Sequence, residues 1–220
     1  MSLHHNPRIV TLGLVLALDA GDTNSYPGSG TNIYDLSGRG NSSTLNNGAA
    51  YSTNYKGVFS FDGSNDFLNT GSGADTTFSH TTGWTVQFSF NPVTFTNTYP
   101  GILLKGTASS TGVLLFYGNT GILYWKHNNV QTNLVDMDFN TWYNIAITYS
   151  GTGNVLGYVN GVYIKTLGSM ASTNSSSNLL LGQGDQHGNN LLGPFLKYNR
   201  ALTASEIEAN YNAIKGRFNI

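Results

Sequence analysis

The chain has 220 residues, no cysteine, a formal net charge of −1 and only 10% charged residues, far below the quarter usual in soluble domains. The absence of cysteine excludes disulfides and thiolate metal sites, and the lack of a basic patch argues against a nucleic-acid partner. The length predicts one large all-β domain, and the longest apolar run, residues 12–18, is too short to span a bilayer, so we expect no membrane insertion.

Residues 1–12 are polar, contain Pro7, and are expected to form an N-terminal arm. They lack the basic start, long apolar stretch and small-residue cleavage site of a signal peptide. The sequence therefore predicts synthesis in the cytoplasm without export through a secretion channel. The apolar residues 13–20 that follow predict a first strand that is covered on both faces.

The middle of the chain predicts about ten or more short strands, separated by turns rich in Gly, Asn, Asp and Ser. Residues 22–47 are expected to form a long surface loop. Asn160-Gly161 predicts a two-residue type I′ hairpin, because both residues tolerate positive φ. This spacing of strands indicates a sandwich or a barrel. The segments that predict strands after the loop are 58–61, 67–68, 85–91, 101–105, 113–117, 122–127, 142–149, 155–164, 179–181 and 195–198.

The last segment, residues 201–220, predicts a capped helix and a short tail. Thr203 and Glu206 form a capping box, in which each side chain bonds the backbone N–H of the other residue. Gly216 is placed to end the helix. One face of this helix is apolar, with Ile207, Tyr211 and Ile214.

Four segments carry a recognisable pattern in their order and spacing. They are DLSGRGN at 35–41, FDGSNDF at 61–67, WYNIAITY at 142–149 with YVNG at 158–161, and YNRALTASEI at 198–207. Together they resemble the laminin-G-like jelly roll of the concanavalin-A-like lectin/glucanase superfamily. The resemblance implies an all-β, two-sheet antiparallel jelly-roll sandwich over residues 13–200, with one short C-terminal helix docked at an edge.

The two chain ends carry a narrower resemblance. HNPRIV at 5–10, GLVLALDA at 13–20 and NYNAIKGRF at 210–218 are similar to small single-module jelly-roll proteins encoded among the virion structural genes of tailed phages. This implies a virion protein that decorates the capsid or forms part of the tail or fibre, bound to other virion proteins and expected to be a homo-oligomer. The family usually carries an acidic pair and an arginine where this chain has Gly-Pro-Phe-Leu-Lys at 193–197.

The chain ends also provide the residues expected to attach the protein to a particle. Phe218 and Ile220 are apolar residues near a terminus, where solvation is the ordinary outcome, so they indicate docking within the subunit or onto a partner. The expected attachment residues are His4, His5, Pro7, Arg8, Arg217, Phe218 and Ile220.

The superfamily includes glycoside hydrolases, which need two carboxylates that flank the scissile bond. The only two glutamates are Glu206 and Glu208, and both are explained by the first turns of the helix. Asp136 and Asp138 have strand-like spacing that would put both carboxylates on one face, but a turn at the sheet edge is the simpler explanation. No Gly-x-Ser-x-Gly elbow is present. The sequence therefore predicts a protein that is not an enzyme and has no catalytic residues.

Calcium is the one cofactor that the residues suggest. Many members of the superfamily hold a structural calcium by bringing early and late loops together, and this resemblance makes Asp22, Asp35 and Asp185 the expected ligands. The alternative is that these residues initiate turns by bonding their own backbone.

Glycan binding is the remaining activity that the fold implies. An exposed aromatic platform with neighbouring amides is predicted at Tyr124, Trp125, His127 and Asn128, and Tyr99 could supply another. Core packing is the alternative for the tryptophans. The sequence thus leaves two main hypotheses: a virion structural protein that assists adhesion to a cell-surface glycan, and a free-standing carbohydrate-binding module.

Overall fold

The computed structural model describes residues 8–94, 97–106, 112–171 and 176–220, which form two antiparallel sheets packed face to face. The expected two-sheet jelly-roll sandwich with one short C-terminal helix is confirmed. The strands are β1 (Leu14–Leu18), β2 (Asn32–Ile33), β3 (Ser43–Asn46), β4 (Ala50–Ser52), β5 (Val58–Asp62), β6 (Phe67–Asn69), β7 (Trp84–Thr94), β8 (Gly101–Lys105), β9 (Val113–Tyr117), β10 (Ile122–His127), β11 (Val130–Asp136), β12 (Tyr143–Tyr149), β13 (Asn154–Val159), β14 (Val162–Ser169), β15 (Leu179–Leu181) and β16 (Asn189–Tyr198), and the helix is α1 (Ala204–Ile214).

The strand order places the long central strands in one sheet. Sheet A has the order β14-β13-β12-β7-β16-β5-β4, and β1 pairs with β16 beside β5. Sheet B has the order β11-β10-β9-β8-β15-β6-β3-β2. In the part of the chain that the structure describes, no helix is long and apolar enough to cross a membrane.

The main core lies between the sheets and is rich in aromatic rings. Phe88 of β7 stacks on Phe195 of β16, with ring centroids 5.9 Å apart. Trp84 of β7 stacks on Trp125 of β10 across the two sheets, with centroids 6.0 Å apart. All four side chains are buried. The alternating apolar residues of these strands therefore face the other sheet and form the core between the two sheets.

A second apolar layer lies between the outer face of sheet A and helix α1. The predicted capping box is present: Thr203 Oγ1 accepts from the Glu206 N–H at 3.3 Å, and Glu206 Oε2 accepts from the Thr203 N–H at 2.9 Å. The residues buried in this layer include Ala17, Val58, Trp142, Ala146, Tyr158, Leu196, Tyr198, Leu202, Ile207, Ile214 and Phe218. The helix thus closes this face of the sandwich.

Ile9 and Val10 of the predicted arm pack on the apolar layer beside the helix, whereas the Leu12 side chain is exposed. The Val10 N–H donates to Asn210 Oδ1 at 2.8 Å, and the Tyr198 hydroxyl donates to the Val10 carbonyl at 2.9 Å. The Arg200 Nε–H donates to the Leu12 carbonyl at 2.9 Å. This segment is therefore tied to the fold by long-range hydrogen bonds.

Several strands differ from the sequence prediction. The predicted loop at 22–47 contains the short strands β2 and β3, and β4 and β11 were not predicted. β16 begins at Asn189, six residues before the predicted start at 195. These segments are polar or interrupted by Gly and Pro, so they pair because their neighbours present free backbone groups rather than because of an apolar pattern. The Asn160-Gly161 hairpin is confirmed, with φ of 49° and 80°.

Two lysines are fully buried at one end of the space between the sheets. Lys105 Nζ donates to Thr76 Oγ1 at 3.1 Å, and Lys197 Nζ donates to the Thr77 carbonyl at 2.9 Å. Burial lowers the pKa of Lys105 to about 8. Burial, and then the positive charge of Lys105, lower the pKa of Lys197 to about 7, although Asp75 acts in the opposite direction.

We predict that the free energy of unfolding rises between pH 7 and 10. The folded-state pKa values of the two lysines lie below their unfolded value of 10.5, so the unfolded chain binds more protons throughout this range. The two lysines together give a rise of about 6 kcal/mol, and Lys197→Met should remove somewhat more than half of it, measured by urea unfolding at each pH. Lys165→Met, on the partly exposed edge of the sandwich, is the control and should keep the rise. A flat profile for the wild-type protein would contradict the prediction.

Candidate functional site

The structure divides the predicted aromatic platform between two faces of β10. Trp125 is 1% exposed and faces the core, where it stacks on Trp84. Tyr124 precedes it, points to the outer face of sheet B, and is only partly buried. Because neighbouring side chains of a strand point to opposite faces, these two rings cannot share one ligand surface. The predicted platform is therefore wrong in its inclusion of Trp125.

His127 is also buried, and both of its ring nitrogens are used within the fold. Nδ1 lies 3.0 Å from the Gly112 carbonyl, and Nε2 accepts from the Ala171 N–H at 2.9 Å. Nε2 is the acceptor in this arrangement, so Nδ1 is the nitrogen placed to donate to the Gly112 carbonyl. Asn128 lies in the β10–β11 turn, with φ of 48°. The geometry gives both residues structural roles.

Tyr124 instead belongs to an aromatic row on the outer face of sheet B. Its ring stacks on Phe116 of β9, with centroids 5.2 Å apart and planes at 20°. Tyr99 meets the same phenylalanine edge-on, with centroids 5.9 Å apart. Tyr99 is 52% exposed. The row therefore presents two tyrosine rings to solvent, on either side of a buried phenylalanine.

Polar side chains border this row. The register of β10 and β11 pairs Tyr124 with Asn133 and Lys126 with Gln131, and directly paired residues point to the same face. We call this surface the tyrosine face. It consists of Tyr99, Phe116, Tyr124, Lys126, Gln131 and Asn133, with Asp185 and Gln186 from the 182–188 loop.

The 182–188 loop lies against this part of sheet B. The Tyr99 N–H donates to Gln186 Oε1 at 2.7 Å, and Lys126 Nζ lies 4.0 Å from Asp185 Oδ2. The close approach depends on two glycines: a Cβ on Gly101 would overlap the backbone of Gly184, and a Cβ on Gly184 would lie 2.8 Å from Leu114 Cδ1. The loop thus holds an amide and a carboxylate beside the aromatic row.

The three predicted calcium ligands do not form one site. Asp35 accepts from the N–H groups of Ala17, Ser37 and Asn41, and Asp22 accepts from both the N–H and the side-chain amide of Asn24. Asp185 lies beside Lys126 instead. Across the described part of the chain, no group of three acidic or histidine side chains could hold a metal ion. The turn-forming alternative explains Asp22 and Asp35, and a calcium site built from the three aspartates is wrong.

Of the carboxylates considered for catalysis, Glu206 is held in an ion pair and the two aspartates are exposed to solvent. Arg200 makes a two-pronged ion pair with Glu206, with N–O distances of 2.6 and 2.9 Å. The hydrogen bond from Arg200, and then that from the Thr203 backbone, lower the pKa of Glu206 to about 2. Such a carboxylate cannot act as a raised-pKa general acid. Asp136 and Asp138 are both exposed.

The predicted attachment residues at the C terminus are docked within the subunit. Phe218 is 3% exposed, and the centroid of its ring lies 4.1 Å from the ring centroid of Trp142. Arg217 binds both carboxylate oxygens of Asp19, at 2.6 and 2.8 Å. Ile220 packs on the same apolar layer. Arg8 is exposed, and His4, His5 and Pro7 lie outside the described residues.

The comparisons with known proteins agree with this fold. Residues 62–208 match the model of a laminin G family described as the concanavalin A-like lectin/glucanases superfamily. The chain belongs to this superfamily. A search of curated proteins gave no match.

Three of the solved structures that resemble this chain are longer than it is. The binding domain of Paraclostridial Mosquitocidal Protein 1 superposes with a TM-score of 0.75 at 16% identity, over 92% of this chain and 52% of that chain. Trypanosoma rangeli sialidase gives 0.72 at 16% identity, over 94% and 33%. An HCR/D mutant gives 0.72 at 16% identity, over 92% and 52%. The chain thus spans a third to a half of each, and identities this low show the fold alone.

We predict that Trp125→Ala lowers the free energy of unfolding by roughly 3–5 kcal/mol, because it removes a buried ring from the core. Tyr124→Ala should cost only about 1 kcal/mol, since the ring lies on the outer face and is partly exposed. Urea unfolding of the two variants measures the difference. Equal costs would contradict the opposite orientations of these two rings.

Proposed function

We propose that this protein is a non-enzymatic binding module that contacts glycans through the tyrosine face. The observation that carries this proposal is the row of Tyr99, Phe116 and Tyr124 on the outer face of sheet B. Tyrosine offers a rigid apolar ring with a hydroxyl at its tip, which suits a ligand with both C–H and hydroxyl groups. A sugar ring presents C–H groups on its faces and hydroxyl groups around its edge.

The polar border supports the same ligand class. Gln131 supplies an amide, and Lys126 and Asp185 supply one charge of each sign. Asn133 and Gln186 add amide N–H donors, since their oxygens already accept from Lys165 and from the Tyr99 N–H. Sugar hydroxyls also donate and accept, so amides and carboxylates are suitable partners. The mosquitocidal relative is itself described as a binding domain, which agrees with a binding role.

We predict that the double variant Tyr99→Ala/Tyr124→Ala loses at least about tenfold in affinity for any glycan that the wild-type protein binds, because both rings are expected to contact the sugar. A glycan array with the wild-type protein identifies the ligand, and titration calorimetry then measures the affinity.

The matched control is Tyr163→Ala. Tyr163 is 48% exposed, close to the 52% of Tyr99, but it lies on β14 of sheet A. The control should bind as the wild-type protein does. Unchanged binding by the folded double variant would disprove the role of the tyrosine face.

We further propose that the module is a structural part of a virion, on the capsid, tail or fibre, and works there as a homo-oligomer. The resemblance of both chain ends to small tailed-phage proteins supports this assignment. The free-standing carbohydrate-binding module is the second candidate, and the tyrosine face serves it equally well.

We predict that the protein is found in purified particles at many copies per particle, as a decorating or fibre protein would be. Quantitative mass spectrometry of gradient-purified particles measures the copy number, and labelled antibodies locate the protein by electron microscopy. Absence from the particles, together with intact glycan binding, would select the free-standing module.

A further inference from the structure

The two buried lysines form a site that the proposed function does not use. Lys105 lies on β8 of sheet B and Lys197 on β16 of sheet A, and they are 0% and 1% exposed. Their ammonium groups donate to consecutive residues of one short segment, Thr76 and Thr77. Two like charges are thus held near each other and away from water, which is costly for both.

Within the described residues, neither of these lysines is in an ion pair. Asp75 is the acidic residue beside them, but its Oδ2 accepts from Asn41 Nδ2 at 3.0 Å and lies 3.8 Å from Arg39 Nε. The repulsion of Lys197 by Lys105 is larger than its attraction to Asp75. The charged neighbours of the Lys197 nitrogen therefore favour a negative group at this position.

A small cavity reaches the side chain of Lys197. It has a volume of ≈ 200 Å³ and lies between the end of β16, the start of β7 and the segment 74–83. Its lining includes the exposed residues Ala74, Thr82 and Asn199, so it is open to solvent. The cavity has room for a molecule of a few atoms beside the lysine.

The environment of Lys197 suits a nucleophile better than a cation. Burial, and then the charge of Lys105, lower the pKa of Lys197 to about 7, so the amine is mostly neutral at about pH 8. A lysine that is removed from water beside a second cation is activated in this way, because its nitrogen keeps the lone pair that attacks an electrophilic carbon.

We propose that Lys197 is a modification site that reacts with carbon dioxide to form a carbamate. The Lys197 nitrogen forms a bond to the carbon of CO₂, and one C=O π pair moves onto oxygen. The nitrogen then releases one proton to solvent. The product is an N-carboxylate with a single negative charge, and the reaction needs no oxidant, reductant or further reactant.

The charge of the product selects CO₂ among the electrophiles that attack amines. An acyl donor would leave the nitrogen neutral, and an aldehyde would give an imine, which carries no negative charge. The carbamate instead replaces two like charges by an opposite pair, Lys105 and the modified Lys197. CO₂ is also uncharged and has only three atoms, so it enters the small cavity at little desolvation cost.

The test uses the full-length protein with ¹⁵N at the lysine Nζ atoms, equilibrated with ¹³C-bicarbonate and observed by NMR at about pH 8. We predict one carbamate carbon that is coupled to a lysine nitrogen. Lys197→Met should abolish this signal, and Lys165→Met, the same substitution on the half-exposed β14 edge, should leave it unchanged. The absence of a lysine carbamate in the wild-type protein, or its persistence in Lys197→Met, would overturn the proposal.

Lys105 provides a variant that tests the pairing of charges. Lys105→Met removes the cation beside the carbamate and also makes Lys197 easier to protonate. The yield of carbamate should therefore fall at least about fivefold, measured from the same NMR signal. An undiminished yield would contradict the role of Lys105.

Chemical trapping locates the modification in the wild-type protein and needs no variant that must fold. A trialkyloxonium reagent converts the carbamate to a stable ester, and mass spectrometry of tryptic peptides identifies the modified lysine. The ester should form on Lys197 in higher yield than on the exposed Lys56. An equal or higher yield on Lys56 would overturn the proposal.

The carbamate proposal does not depend on glycan binding. The Tyr99→Ala/Tyr124→Ala variant changes the outer face of sheet B, whereas Lys197 is buried at one end of the core, so this variant should form the carbamate as the wild-type protein does. The two proposals can therefore fail independently. Loss of the carbamate in this variant, with the fold intact by circular dichroism, would contradict the location of the site.

Discussion

The buried amide of Asn210 joins three parts of the molecule, and the arrangement of the helix depends on it. Its Nδ2 donates to Gln87 Oε1 of β7 at 2.9 Å and to the Tyr198 hydroxyl of β16 at 3.0 Å, while its Oδ1 accepts from Val10. Gln87 in turn donates to the Ile207 carbonyl of the helix. Burial of these groups would be costly if any were unpaired. The network therefore fixes helix, sheet and N-terminal segment in one arrangement.

This arrangement decides which surface is free for a partner. Because α1 and the C-terminal tail cover sheet A, the apolar residues at the chain end are used within the subunit. Arg217 and Phe218 stabilise the turn at Tyr55 and the layer around Trp142. The proposed binding surface lies instead on the outer face of sheet B, where side chains alternate between the core and solvent.

Local signals in the sequence predicted most of the fold. The capping box at Thr203 and the hairpin at Asn160 were correct, because each depends on residues within a few positions of one another. The calcium site failed, because it required Asp22, Asp35 and Asp185 to meet through loops that no local pattern determines. The predicted aromatic platform was wrong for a different reason. Side chains alternate between the two faces of β10, so Tyr124 and Trp125 point in opposite directions. Gln131, Asn133 and Gln186 could not be found, since only the strand register and the 182–188 loop bring them to the tyrosine face.

Gly101 of β8 and Gly184 of the 182–188 loop connect the fold to the proposed binding. A loop that bears Asp185 and Gln186 can lie beside the aromatic row only where its backbone reaches β8, and side chains at positions 101 and 184 would prevent this. The hydrogen bond from the Tyr99 backbone N–H to Gln186 Oε1 then ties the residue that bears the exposed ring to the loop. Because these groups are held before a ligand arrives, little conformational entropy is lost on binding, and a few aromatic contacts can suffice for measurable affinity. A surface of this kind gains further strength when several copies act together, which is how a particle-bound module would use it.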